Sequence, residues 1–166
     1  MPALLLETWR REIAAVLQRH QPRLPSGLDD LCDALRGVTD STDSRRALAN
    51  RAEEARTAYR RWLVAEGDGY SAILIGWSPR YHTPVHDHDG LWGIELVLCG
   101  ALHVDEFQLG TGEPRKCVRS ICKEMARRSS TMRPMHMLAP IRLPTCRPSA
   151  STSTVGRCCL TLCIRR

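Results

Sequence analysis

The 166-residue sequence has few aromatic residues and no apolar run long enough to cross a membrane. Its single Phe, three Tyr and four Trp all lie at or before Phe107. The apolar run at residues 4–6 is too short for a signal peptide, because charged residues follow it at once. The eight Cys lack the paired C-x2-C spacing of structural zinc sites. We therefore expect a soluble, cytoplasmic protein with reduced thiols and no membrane partner.

Acidic residues are almost absent from the last third of the chain. Residues 113–166 contain two of the 18 acidic residues, 12 of the 24 Lys and Arg, and six of the eight Cys. A single domain does not normally divide its composition this way. We predict a helical segment over residues 1–58, a β-rich core over residues 59–112, and an atypical basic tail over residues 113–166. The tail is expected to be poorly packed.

Helical periodicity characterises the first segment. Apolar residues recur at helical spacing over residues 2–18 and predict an amphipathic helix: Leu6, Trp9, Ile13, Val16 and Leu17. A second helix is predicted from a cap at Ser26 or Asp29 to a stop at Gly37. The Ala-, Glu- and Arg-rich residues 43–58 predict a third helix.

Strand character begins at residue 59. Residues 59–65 and 70–77 flank Gly67-Asp68-Gly69, a sequence typical of a hairpin turn. The second of these strands, YSAILIGW, is mostly apolar, as expected where both faces are covered. Residues 94–98 and 102–107 predict two further strands.

Two histidines, His86 and His88, lie two residues apart just beyond the YSAILIGW strand. In an extended strand alternate side chains share a face, so both imidazoles would project together and Asp87 would point away. Two imidazoles on one face form half of a metal site. The alternative is a pair of exposed loop histidines. The prolines before the pair, Gly90 after it and the returning apolar strand favour a metal-bearing strand end in a small β-barrel.

Residues 59–107 resemble the thiol dioxygenase branch of the cupin superfamily, with cysteine dioxygenase as the type. The resemblance rests on the order of YRRWLV, a hairpin, YSAILIGW and the HDH motif. It implies a mainly β fold, a cupin double-stranded β-helix barrel preceded by helices and incomplete in this chain. It also implies Fe2+ held by three histidines, two of them matched by His86 and His88. Glu95 is expected to line the barrel or its rim rather than to bind the metal.

The same family has a Tyr-x-Arg on the first strand, and its arginine binds the substrate carboxylate. Tyr59 and Arg61 match this pattern. A guanidinium suits that role because it pairs bidentately with a carboxylate and stays charged at any working pH. The alternative is that Arg61 is the last cation of a basic helix end. The spacing to the HDH motif favours the carboxylate role.

The resemblance also implies a third histidine, in a segment like S-x-H-x-Y-G, and residues 113–166 do not contain one. Their single histidine is His136, outside that pattern. A reading-frame shift between about Leu109 and Arg119 would explain the loss. The codons of residues 151–155 are compatible with a shifted frame that reads histidine, valine, tyrosine and glycine. An inserted or deleted base is then expected within codons 105–125. A continuous frame there, with a matching mass of the purified protein, would contradict the hypothesis.

The competing hypothesis for the tail is a genuine basic segment for nucleic acid or an anionic surface. It has neither interleaved aromatic residues nor a periodic basic face, so no specific nucleic-acid partner is expected. Strongly salt-dependent binding that disappears when residues 113–166 are removed would contradict that expectation.

Taken together, the residues and the resemblance predict an iron-dependent thiol dioxygenase-like protein. Its partners would be O2 and a small carboxylate-bearing thiol, of the cysteine or 3-mercaptopropionate type, which it would oxidise to a sulfinate. With two of three histidine ligands, this chain is expected to be impaired. The alternative is a non-catalytic cupin module that binds a metal or a small molecule.

Overall fold

The computed structural model has three helices followed by eight strands. The helices are α1 (Pro2–His20), α2 (Leu28–Thr39) and α3 (Thr42–Glu54). The strands are β1 (Arg60–Gly67), β2 (Tyr70–Trp77), β3 (Gly93–Cys99), β4 (Ala101–Gln108), β5 (Arg115–Lys123), β6 (Arg127–Ser130), β7 (Pro148–Thr154) and β8 (Cys159–Arg165). The structure describes residues 2–21, 27–84, 93–108, 115–123, 127–130, 148–154 and 159–165. No helix in these ranges is both long and apolar enough to span a membrane.

Helix α1 confirms the amphipathic helix predicted over residues 2–18 and continues beyond it to His20. Its apolar stripe faces the sheet, and four of the five predicted positions are buried: Trp9, Ile13, Val16 and Leu17. Leu6 is partly buried and packs against the same core. The helix is therefore held by its apolar face, as the 3.6-residue spacing predicts.

Helix α2 begins and ends differently from its prediction. Its N-cap residue is Gly27, so the cap predicted at Ser26 or Asp29 is wrong. The helix also continues through Gly37 to Thr39, whose side chain is buried and whose hydroxyl donates to the Leu35 carbonyl at 2.9 Å. Burial of this last turn offsets the roughly 1 kcal/mol by which glycine disfavours a helix relative to alanine.

Helix α3 ends at Glu54, four residues before the predicted end. The following residue, Ala55, is fully buried against β2. A Cβ at Gly76 would lie 2.5 Å from the Ala55 Cβ, so glycine at this position lets the end of α3 approach the strand closely. The chain then enters β1, and Tyr59 is the residue immediately before this strand.

The strands form two antiparallel sheets. The larger has the order β1-β2-β8-β3-β6, and the smaller has the order β5-β4-β7. The hairpin predicted around Gly67-Asp68-Gly69 joins β1 to β2, and Gly69 has the positive φ of 73° that such a turn uses. The fold class, a mainly β structure with N-terminal helices, is confirmed by these elements.

Strand β8 corrects the expectation that the whole tail is poorly packed. Its residues pair with β2 on one side and β3 on the other, at the centre of the larger sheet. Leu160, Leu162 and Ile164 have no exposed surface. The physical reason is a period-2 pattern, CLTLCIR, which the basic composition of residues 113–166 obscures.

Alternating side chains give the larger sheet two different faces. One face packs on the helices in an apolar core that includes Leu74, Leu96 and Leu162. The other face packs on the smaller sheet through Ile73, Ile75, Trp77 and Val97, which meet Leu102 and Val104 of β4. We call this second face the inner face, and it carries the candidate site.

Candidate functional site

The strand register shows which side chains share the inner face. Directly opposite residues of antiparallel strands project to the same side of a sheet. One row across the inner face runs through Arg61 (β1), Ile75 (β2), Thr161 (β8) and Val97 (β3). The next row runs through Leu63 (β1), Ile73 (β2), Cys163 (β8) and Glu95 (β3). The N-terminal, central and C-terminal parts of the chain thus contribute polar groups to one surface.

Three aromatic rings form a cluster where β1 begins and β2 ends. Tyr59 stacks on Tyr81, with ring centroids 4.6 Å apart and an interplanar angle of 14°. Trp77 meets Tyr59 edge-on at 5.3 Å and lies 6.1 Å from Tyr81. Edge-on and stacked contacts of this kind each stabilise an aromatic pair beyond simple burial. The cluster fixes Tyr59 against the inner face.

The tight turn after β2 brings Tyr81 into this cluster. The Tyr81 amide donates to the Ser78 carbonyl at 3.1 Å. Arg80 occupies the turn with a φ of 65°, a left-handed conformation that is uncommon for a residue with a side chain. The local strain is compensated by the packing of Tyr81, so the chain folds back over the end of the inner face.

A buried hydrogen bond ties the aromatic cluster to β8. The Trp77 indole Nε1 donates to the Thr161 hydroxyl at 3.0 Å, and neither side chain is more than 3% exposed. Leaving either group without its partner would cost about 1–3 kcal/mol. This bond therefore holds the floor of the candidate site in one arrangement.

Tyr59 lies within electrostatic reach of several polar groups on the inner face. Burial raises the pKa of the Tyr59 phenol, and Tyr81, Cys163 and Glu95 raise it further, whereas Arg61 lowers it. The net shift is upward, so the phenol stays protonated and can donate a hydrogen bond throughout the neutral range. Arg61 and Glu95 thus shift the pKa of the same hydroxyl in opposite directions.

Arg61 differs from the arginines of the helical segment. Six of those arginines pair with nearby acids: Arg10, Arg36, Arg45, Arg46, Arg51 and Arg56. Arg61 is exposed and forms no ion pair within the part of the chain that the structure describes. Its position on β1, opposite Ile75, separates it from the helix end.

The predicted metal ligands His86 and His88 lie outside the described residues, as does His136. Within the described ranges, no group of three His, Cys, Asp or Glu could hold a metal ion. His82 is exposed, as predicted for a surface residue, and His103 is half-buried on β4. The described side chains alone do not fit a metal centre, so the metal prediction stays a prediction on His86 and His88.

A separate cavity of about 330 Å3 lies on the helix side of the larger sheet. Leu48 and Ala52 of α3 line it together with Leu98, Cys99 and Leu160. Of the residues that the structure describes, no histidine and no member of the aromatic cluster lines this cavity. We therefore locate the candidate site on the inner face.

No protein-family model matches the sequence, and no curated protein matches it. Among solved structures, the chain is similar to KdgF from Halomonas sp., with 16% identity, a TM-score of 0.42 and coverage of 64% of this chain and 78% of that one. The Cnp3 cupin domain of Schizosaccharomyces pombe has 9% identity and a TM-score of 0.45 over 64% of this chain and 58% of that one.

A cupin superfamily protein of Desulfitobacterium hafniense is similar at 11% identity and a TM-score of 0.42, over 66% of this chain and 77% of that one. Two of these three structures are thus described as cupins. At such identities and TM-scores, the matches carry no information about activity or ligands. The fold class given above rests on the described helices and strands.

Sequence reasoning identified Tyr59, Arg61 and Glu95 but missed three other members of the site. Trp77 and Tyr81 were signalled only by aromatic residues flanking a Pro-containing turn. Cys163 was signalled only by the alternation within β8. Only the strand register, which pairs β8 with β2 and β3, shows that Cys163 shares the inner face with the other residues of the candidate site.

Proposed function

We propose that the inner face binds a small carboxylate-bearing thiol and that the protein oxidises it, with iron and O2, to a sulfinate. The observation that carries this proposal is the placement of Arg61. An arginine with no ion pair among the described residues projects from β1 beside a half-buried tyrosine that retains its proton. A guanidinium in this position fits a carboxylate bidentately.

Tyr59 and its aromatic neighbours support the same ligand. The protonated phenol can donate to a carboxylate oxygen held by Arg61. Tyr81 and Trp77 cover one side of Tyr59, so water is excluded from that side and the charged contact is strengthened. The ligand would be oriented with its carboxylate toward β1 and its thiol away from it.

His86 and His88 are the residues that would hold the iron. The eight residues between Pro84 and Gly93 contain both of them. This segment connects the turn that carries Tyr81 to the strand that carries Glu95, and both residues border the candidate site. When bound, iron would supply the charge that ionises the thiol and the open positions that a thiol and O2 need. Overall, the thiol and one O2 become one sulfinic acid, with both oxygen atoms on sulfur.

The test is to load the purified full chain with Fe2+ under anaerobic conditions and measure bound iron. Sulfinate is then quantified after aerobic incubation with cysteine and with 3-mercaptopropionate. We expect bound iron and slow sulfinate formation, because two histidines hold the metal less firmly than three. His86→Ala should lose most of the iron, whereas His82→Ala, a matched change at an exposed histidine, should retain it.

The second candidate is a non-catalytic cupin module. It is favoured by the sequence, which has no third histidine in a segment like S-x-H-x-Y-G, so His86 and His88 alone would hold a metal weakly. Stoichiometric iron without oxidation of either thiol would support this candidate and contradict the proposed oxidation. Equal iron loss in His82→Ala and His86→Ala would contradict the proposed ligand assignment.

A further inference from the structure

One fully buried polar side chain lies at the centre of the inner face. Thr161 of β8 stands between Ile75 of β2 and Val97 of β3, its neighbours in register, and it has no exposed surface. A valine has the same shape and would suit these apolar neighbours, so the hydroxyl needs a separate explanation. It accepts a hydrogen bond from the Trp77 indole Nε1 at 3.0 Å. Because Thr161 is fully buried, a ligand cannot touch its hydroxyl, which can affect binding only through this partner.

Trp77 carries the contact from Thr161 to Tyr59. The Trp77 ring is 3% exposed and meets Tyr59 edge-on, with ring centroids 5.3 Å apart and an interplanar angle of 69°. Tyr81 stacks on Tyr59 at 4.6 Å, so two rings hold the phenol. Of these two rings, Trp77 is the one tied to β8, the central strand of the larger sheet. The Thr161 hydroxyl therefore fixes the indole, and the indole restricts the phenol.

The position of the Tyr59 phenol matters for a carboxylate bound at Arg61. Tyr59 immediately precedes β1 and Arg61 is the second residue of this strand, so the two lie two residues apart, where side chains of an extended chain share a face. A hydrogen bond weakens steeply when its angle or distance leaves the optimum. A small rotation of Trp77 would thus reduce the affinity for a carboxylate without any change in the groups that touch the ligand.

We propose that Thr161 is a positioning residue of the candidate site, whose buried hydroxyl holds Trp77 and, through it, the Tyr59 phenol. The phenol is thereby directed at the carboxylate that Arg61 binds, so the inference rests on the function proposed for Arg61. It gives a ligand-binding role to a residue 84 positions from Trp77 in the sequence. The alternative to be tested is a purely structural role, in which the bond stabilises the sheet and leaves the ligand unaffected.

The experiment measures carboxylate binding with probes that need neither iron nor oxidation. 3-Hydroxypropionate and L-serine carry a hydroxyl in place of the thiols of 3-mercaptopropionate and cysteine, and their binding to the full chain is measured by calorimetry. Thr161→Val removes the hydroxyl at constant shape and should weaken binding of both probes about 3- to 10-fold. Thr161→Ser keeps the hydroxyl and should recover most of the affinity.

Thr39→Val is the matched control, because it also removes the hydroxyl of a buried threonine. Thr39 lies on α2, on the helix side of the larger sheet, and its hydroxyl donates to the Leu35 carbonyl at 2.9 Å. This variant should change neither affinity. Near-ultraviolet circular dichroism should show a loss of signal from the aromatic cluster in Thr161→Val and none in Thr39→Val.

A double-mutant cycle with Tyr59→Phe separates positioning from structure. Tyr59→Phe alone should weaken binding of both probes at least as much as Thr161→Val, because it removes the phenol hydroxyl itself. If Thr161 acts through Tyr59, then Thr161→Val should weaken binding no further in the Tyr59→Phe background. If Thr161→Val does not fold, Trp77→Phe takes its place in the cycle, since it removes the donor from the other end of the bond and should behave in the same way.

Unchanged binding in Thr161→Val, or an equal further loss in the Tyr59→Phe background, would overturn the inference while leaving the proposed function intact. Thr161→Ser binding as weak as that of Thr161→Val would do the same, because the hydroxyl would then not be the cause. An unmodified chain that binds neither probe would overturn both the inference and the proposed carboxylate site.

Discussion

Leu162→Ala is expected to lower the free energy of unfolding by about 2–5 kcal/mol. Leu162 has no exposed surface and lies between Leu74 of β2 and Leu96 of β3, its neighbours in register. Removal of its side chain leaves a cavity on the helix-facing side of the sheet, where the surrounding strands can relax only partly. Urea unfolding followed by circular dichroism measures the change.

Leu63→Ala is the matched control for this prediction. It removes the same atoms from a leucine that is 52% exposed on β1, so it should cost well under half as much. Equal losses in the two variants, or a neutral Leu162→Ala, would contradict the central position of β8. A chain that ends at residue 158 should fail to unfold cooperatively, because β2 and β3 would each lose a hydrogen-bonded neighbour.

Local patterns predicted α1, β2 and β4 because each of these elements carries its own periodicity. The stripe from Trp9 to Leu17 and the apolar run YSAILIGW depend on no distant partner. The end of α2 was not predictable in this way. The burial of Thr39 against the core outweighs the local preference of Gly37 to stop the helix.

The position of β8 could not be read from the sequence because strand pairing is non-local. Ile73 and Cys163 are 90 positions apart in the sequence and lie opposite each other in the sheet. The only sequence signal is the alternation of Leu160, Leu162 and Ile164 with smaller side chains. A prediction based on the net charge of residues 113–166 as a whole therefore misses this short apolar strand.

The candidate site shows the same division between local and distant information. Tyr59 and Arg61 are two residues apart, so a motif was enough to connect them. Tyr81, Glu95 and Cys163 come from three other segments, and only the register and the aromatic contacts bring them to Tyr59. The assignment of His86 and His88 as metal ligands remains a prediction from spacing and resemblance.

Arg61→Ala is expected to weaken binding of 3-hydroxypropionate and L-serine by about 10- to 150-fold, because one charge-assisted contact is worth about 1.5–3 kcal/mol. Both probes should lose affinity, since both present a carboxylate to the guanidinium. Calorimetric titration of the full chain without iron measures the two dissociation constants.

Arg60→Ala provides the control because Arg60 is the adjacent exposed arginine on the same strand. It lies opposite Gly76, on the helix-facing side of the sheet, so it should leave both constants unchanged. Arg61→Lys keeps the charge but loses the planar two-point contact, and it should fall between the alanine variant and the unmodified chain. Equal effects of Arg60→Ala and Arg61→Ala would mean that β1 attracts anions only through its general positive charge. That result would remove Arg61 from the site, and with it the basis for a carboxylate ligand on the inner face.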